Sequence, residues 1–242
     1  MCYHGSSKHK EIRAMRIIFV RHGHPDYVHD CLTPLGHQHA AAAALRLQDE
    51  GVTAIYSSTC GRALETAGHL AEKLGLTVNR CDFMREISWG AAEGSVIPEG
   101  GHPWSLADRM IAGNEPLNDP DWAEHPYFRS NRLLSHVEHI SRELDAWLAA
   151  LGYTREGLYY RTGEGTDKTI AVFGHGGASA AILTHLFNLP FPYVCATMAP
   201  DFTGITIAAL GNEPGRLTAP RFEIMNDARH IRDIRIENVY GN

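Results

Sequence analysis

An arginine, a histidine and a glycine, Arg21-His22-Gly23, stand directly after the apolar run Ile17-Ile18-Phe19-Val20. A histidine can attack phosphorus and carry the phosphoryl group covalently, and a neighbouring guanidinium can fork onto phosphate oxygens. Glycine beside them lets the backbone approach a tetrahedral group closely. Two later segments carry residues of the same kind, each again following an apolar run: Ser57-Ser58-Thr59-Cys60-Gly61-Arg62-Ala63 and Gly174-His175-Gly176-Gly177. Together they offer two guanidinium groups and two imidazoles, a set suited to phosphoryl chemistry.

These segments can cooperate only if the fold brings them together. Strand and helix signals alternate through the first half of the chain, the pattern of a parallel sheet flanked by helices. A strand is predicted over 16–20. Thr33 then reads as an N-cap with Pro34 at the first helical position, opening an alanine-rich helix to about Glu50. A second strand is expected over 52–56, a helix capped by Ser58 or Thr59 over 60–74 with Gly75 as its stop, and a short strand near 76–80. A buried strand over 169–173 leads into a helix over 178–187, and closing strands follow over 202–210 and 221–225. In a parallel sheet the three segments lie on one edge, beyond the carboxyl ends of the strands, where open α/β sheets build ligand sites. With Thr59 as cap, Arg62 falls in the first turn of its helix, where free N–H groups and the helix dipole also favour an anion.

Between residues 95 and 130 the pattern changes. Prolines stand at 98, 103, 116, 120 and 126, tryptophans at 104 and 122, and one helical piece is visible around 106–112. Such a stretch is seldom idle loop, and active-site lids are a common use. Trp104 and Trp122 fit either a substrate lid or a small core belonging to the insertion itself. An amphipathic helix over 131–151 follows, with Leu134, Val137, Ile140, Leu144, Trp147 and Leu148 on one face. The expected architecture is a single α/β domain over 15–242: a mostly parallel sheet, helices on both faces, and a lid insertion.

Composition narrows the classes of partner. The chain has 242 residues, 44% of them hydrophobic, enough for a large core. Its 22 basic and 28 acidic residues give a net charge of -6, and no basic stretch interleaves with aromatics, so nucleic acid is not an expected partner. No apolar run reaches the roughly 18 residues of a membrane span. The five cysteines are scattered without C-x-x-C spacing, which fits reduced thiols in a cytoplasm. Residues 1–14 are polar, lack the apolar centre of a signal peptide and read as a disordered leader or as the product of an upstream start codon before Met15. His37 and His39, or His136 and His139 with Glu138, lack a partner cluster that would make them metal ligands, and are expected at or near the surface.

The ordered motifs resemble those of the histidine phosphatases, the phosphoglycerate-mutase-like superfamily. Arg21-His22-Gly23 is similar to the defining motif, and Leu32-Thr33-Pro34-Leu35-Gly36 to the helix start after it. Ser57-Ser58 with Arg62-Ala63 and Thr66-Ala67 resembles the second arginine motif, and Arg85-Glu86 ahead of Trp89-Gly90 and Glu93-Gly94 the acid loop. Phe173-Gly174-His175-Gly176-Gly177 resembles the second histidine motif, and Met225-Asn226-Asp227 with His230 the closing segment. The resemblance implies hydrolysis of a small phosphomonoester through a phosphohistidine on His22, with Arg21, Arg62 and His175 holding the phosphoryl oxygens. Glu86 is implied as the acid and base, although Glu93 lies in the same loop. No cofactor and no metal are implied. His24-Pro25-Asp26 departs from the family pattern, which has an acidic residue followed by threonine or serine. Gly176 stands where an acid-phosphatase branch would have aspartate, which leaves the acid to the Glu86 loop. No counterpart of the proline-rich substrate segment of the glycolytic mutases is present, which favours a phosphatase. A mutase-type phosphotransferase and a non-catalytic phospho-ligand module are the alternatives, and the oligomeric state stays open.

Overall fold

The computed structural model describes residues 14–234. Apart from Ala14, the expected leader lies outside them. A central sheet is built from six strands: β1 (Ala14–Arg21), β4 (Val52–Ser57), β5 (Val78–Arg80), β8 (Thr169–Gly174), β9 (Ile205–Gly211) and β11 (Arg221–Asp227). Their order across the sheet is β11-β9-β1-β8-β4-β5. β1, β8, β4 and β5 are parallel neighbours, and β9 pairs antiparallel with both β1 and β11. The sheet is therefore mostly parallel, as expected.

Alternation within the strands explains the layers. Along β1, Met15, Ile17 and Phe19 enter one core while Ile18 and Val20 enter another; along β8, Ile170 and Val172 divide in the same way from Ala171 and Phe173. Both faces of a strand must then be covered, which is why β8 is buried from end to end. One face carries α1 (Pro34–Leu47) and α2 (Gly61–Leu74). The stripe Ala63, Ala67, Leu70 and Ala71 turns α2 toward the sheet. The other face carries α3 (Pro103–Ala112), α4 (Leu133–Ala150), α5 (Gly176–Phe187) and α6 (Phe191–Thr197).

Several elements differ from expectation. β2 (Pro25–Asp26) and β3 (Cys31–Leu32) form a hairpin that is not among the expected elements. β6 (Tyr153–Glu156), β7 (Tyr159–Thr162) and β10 (Leu217–Thr218) build a separate small sheet. Short strands of this kind carry too few residues for a period to stand out. α6 begins at Phe191 and includes Pro192, whose fixed φ suits a first turn. The helix expected over 60–74 starts at Gly61 with Cys60 as its N-cap, and neither Ser58 nor Thr59 fills that position. Within the segment 95–130, Ile97, Leu106, Met110 and Phe128 are buried in the same core as β1 and α5. Its two tryptophans divide: the Trp122 ring stacks on Phe191 at 5.4 Å inside that packing, whereas Trp104 reaches the start of α5 beside Arg21.

Candidate active site

The register aligns Arg21 with Gly174 and Ser57 with Phe173, so the three segments emerge side by side at one sheet edge. The backbone N–H of His22 donates to Gly174 O at 2.9 Å, and that of Ser58 to Phe173 O at 2.9 Å. Neighbouring strands thus hold the two histidines side by side: the His22 and His175 ring centres lie 5.2 Å apart, with the ring planes inclined by 60°. His22 Nδ1 is 2.7 Å from the carbonyl oxygen of Gly23. A carbonyl only accepts, so Nδ1 carries the proton and Nε2 keeps its lone pair. Burial, with Arg21 and Arg62 nearby, pulls the His22 pKa down to about 3. The imidazole is neutral, as a nucleophile must be.

Two guanidinium groups flank it, each pinned through Nη1. Arg21 Nη1 donates to Pro200 O at 2.8 Å, and its planar group lies 4.3 Å from the centre of the Phe202 ring. Arg62 Nη1 is held by the Asp30 carboxylate. The Nε of each arginine is buried without a protein partner, and so is Nδ1 of His175. Buried donors left unpaired are costly, and an oxyanion among them would accept from all three directions. Ser58 Oγ lies 2.8 Å from His175 Nε2 and accepts from the Cys60 N–H at 3.2 Å. Burial first, then the charges of Arg62 and Arg21, takes the His175 pKa down to about 2.

Glu86 joins this group from the loop after β5. Its Oε1 accepts from the N–H groups of Ile87 at 3.1 Å and Ala178 at 3.0 Å, the latter in the first turn of α5. Burial raises the Glu86 pKa; those two N–H groups and the charges of Arg21 and Arg62 oppose the rise without cancelling it. A carboxyl raised in this way can be protonated when a leaving oxygen needs a proton. Glu93, the other carboxylate of that loop, is exposed.

The positioning contacts run between the motifs and, at Asp30 and Thr203, come from outside them. Asp30, with φ 50°, accepts from the Gly61 N–H at 2.8 Å and so caps α2 from the β2–β3 hairpin while holding Arg62. Thr66 Oγ1 accepts from the Gly23 N–H at 3.1 Å and donates to Arg62 O at 2.7 Å, tying the two motifs together. The Thr203 N–H donates to Arg21 O at 3.0 Å. Gly23 itself serves packing: a Cβ there would stand 2.6 Å from Gly36 O, so its close approach is to α1. Among the remaining histidines, His39 departs from expectation. It is 6% exposed, with its ring centre 6.4 Å from that of Phe202. Among the described residues no group of three or more His, Cys, Asp or Glu side chains is placed to hold a metal.

The family model of the histidine phosphatase superfamily, branch 1, matches residues 17–149, more than half of the chain. The chain belongs to the histidine phosphatase superfamily. Among curated proteins, this histidine phosphatase is 30% identical over 188 residues to the glucosyl-3-phosphoglycerate phosphatase of Mycobacterium tuberculosis, covering 74% of this chain and 78% of the relative. Among solved structures, it is similar to mycobacterial hydrolase 2 at TM-score 0.62 and 27% identity, covering 88% of this chain and 91% of that one. The fold also matches that of a phosphoserine phosphatase from Entamoeba histolytica, solved with 3-phosphoglyceric acid. The TM-score is 0.57 at 21% identity, covering 90% of this chain and 99% of that one.

Proposed function

We propose that this histidine phosphatase hydrolyses a small phosphorylated metabolite through a phosphohistidine on His22, without a metal. The observation that carries the reading is the neutral His22, with Nδ1 committed to Gly23 O and Nε2 unprotonated, set between two pinned guanidinium groups. Nε2 attacks phosphorus as the ester P–O bond breaks in line, and Glu86 gives its proton to the departing oxygen. Water then attacks the phosphohistidine while the Glu86 carboxylate takes its proton, the N–P bond breaks, and inorganic phosphate leaves. Arg21, Arg62 and His175 hold the equatorial oxygens and offset the charge of the transition state, which is where most of the catalysis of phosphoryl transfer arises. The relatives' names support substrates of phosphoglycerate size. Hydrolysis is favoured over mutase-type transfer, because no counterpart of the mutases' proline-rich substrate segment is present. The segment 95–130 covers the leaving-group side as a lid.

Four cysteines, Cys31, Cys60, Cys81 and Cys195, are free, which supports a reducing compartment such as a cytoplasm. Among the described residues no helix is long and apolar enough to cross a membrane.

The test is to trap the intermediate. Rapid acid-free quenching with a phosphate-labelled ester should yield an alkali-stable, acid-labile adduct on His22, and chelation of divalent metals should leave turnover intact. His22→Ala should abolish both adduct and phosphate release with the fold retained. Near-native hydrolysis by that variant would sink the mechanism, and an isomerised ester in place of inorganic phosphate would turn it into a mutase.

A further inference from the structure

Resting on that reading, we infer that the leaving group of the substrate carries a ring with an uncovered C–H or π face, a sugar or an arene, which packs on Trp104. The placement follows from the first turn of α5. A Cβ on Gly177 would stand 2.8 Å from Glu86 Oε1, so the acid lies directly over that residue. A Cβ on the preceding residue, Gly176, would stand 3.4 Å from Trp104 Cη2 and 3.8 Å from the Cζ of Arg21. The indole and the acid thus pack on consecutive glycines of α5, and the Arg21 guanidinium meets the first of these glycines together with the indole.

The ester oxygen must face Glu86 to receive its proton. Whatever is bonded to that oxygen then continues past the carboxyl, where Trp104 stands. The wall extends further: the His102 ring is 5.5 Å from Trp104 and 5.0 Å from Trp89. All three rings are only partly buried, with surface left for a partner. The other aromatic rings near the nucleophile are engaged differently, Phe202 beneath Arg21 and Tyr27 at 5.3 Å from the Arg62 guanidinium. A flat or chair-shaped group gains from a broad aromatic face in a way that a flexible chain does not, because the chain must also lose rotamer freedom.

The probes are benzyl phosphate and n-heptyl phosphate, primary esters of equal carbon count, with glucose 6-phosphate against glycerol 3-phosphate as the hydroxylated pair. The native enzyme should favour the ring ester of each pair in kcat/KM by roughly three- to tenfold, the size of one aromatic contact. Trp104→Leu, which keeps an apolar side chain against the core, should collapse that ratio, and Trp104→Phe should keep most of it. Circular dichroism and thermal midpoints of both variants establish that they fold. An active native enzyme with no ring preference in either pair overturns the inference and leaves the phosphatase reading standing, as does a ratio that Trp104→Leu does not change. Failure to release phosphate from any of the four esters removes the phosphatase reading and this inference with it.

Discussion

At the scale of single residues, the site supplies the protonation state that each step of the proposed mechanism requires. His22 and His175 are kept neutral by burial beside guanidinium charge, and Glu86 is pushed toward its protonated form. Two titratable types are thus driven apart by one environment: burial disfavours charge on both, leaving the imidazole a base without its proton and the carboxyl an acid with one. The consequence is checkable at Glu86. Glu86→Gln should slow phosphoenzyme formation from alkyl phosphates by about a hundredfold or more, the usual worth of a general acid. A nitrophenyl ester, whose leaving group departs without a proton, should lose much less in that first step. Rapid-quench kinetics with both ester types decide it, with Glu93→Gln as the comparison. An equal loss for both esters would remove the acid role from Glu86. Native phosphoenzyme formation should also decline as pH rises through the raised Glu86 pKa, while His22 imposes no limit until pH falls toward about 3.

At the scale of elements, the β2–β3 hairpin and α2 act as one device. Asp30 supplies the acceptor that α2 lacks at its own N-cap, and the same carboxylate fixes Arg62. Hairpin placement and arginine placement are consequently coupled. Asp30→Asn keeps an oxygen for the Gly61 N–H but removes the charge that holds the guanidinium, so inhibition by phosphate and vanadate should weaken by about two- to fivefold, because the Asp30 carboxylate is 46% exposed and the pair is screened by solvent. Gly61→Ala reaches the same hairpin sterically, because the added Cβ would lie 2.1 Å from Asp30 O. That clash should cost about 1–3 kcal/mol of stability and weaken phosphate inhibition as well. Urea unfolding and inhibition constants measure the two effects. Native phosphate inhibition in both variants would show that the hairpin does not position Arg62.

At the scale of the whole molecule, three histidines are buried among the described residues: His22 and His175 at the sheet edge, and His39 within α1. Their pKa values are depressed from 6.5 to about 3, 4 and 2, burial being the first cause in each case. Below 6.5 the unfolded chain takes up protons that the folded chain refuses, so stability must fall as pH drops from that value toward 4 and be free of this loss above it. Carboxylates such as Asp227, held below 3.8 by Arg229, add their loss only at lower pH. Thermal midpoints should therefore decline between about pH 6.5 and pH 4. His39→Gln, which removes one titrating group outside the phosphate-holding set, should flatten that slope. An unchanged slope in the variant would mean that His39 is not a source of the acid sensitivity.

The sequence by itself determined the α/β plan and the set of candidate reacting groups. Apolar runs such as Ile17-Ile18-Phe19-Val20 can be buried only between two covered faces, and each ends at residues whose chemistry is legible from their type. Motif order alone groups Arg21, His22, Arg62, Glu86 and His175. What only the tertiary structure decided are the pairings across long separations. Ser58 meets His175 across 117 positions, and Asp30 meets Arg62 across 32. Glu86 reaches the first turn of α5 across 92 positions, while Glu93 stays in solvent. No local period encodes such contacts, because they arise from strand register and helix docking. The His22 tautomer, the partner of Gly23 and the separation of Trp104 from Trp122 belong to the same class. Each depends on which surface the folded chain presses against the residue, a property that residue type and spacing do not carry.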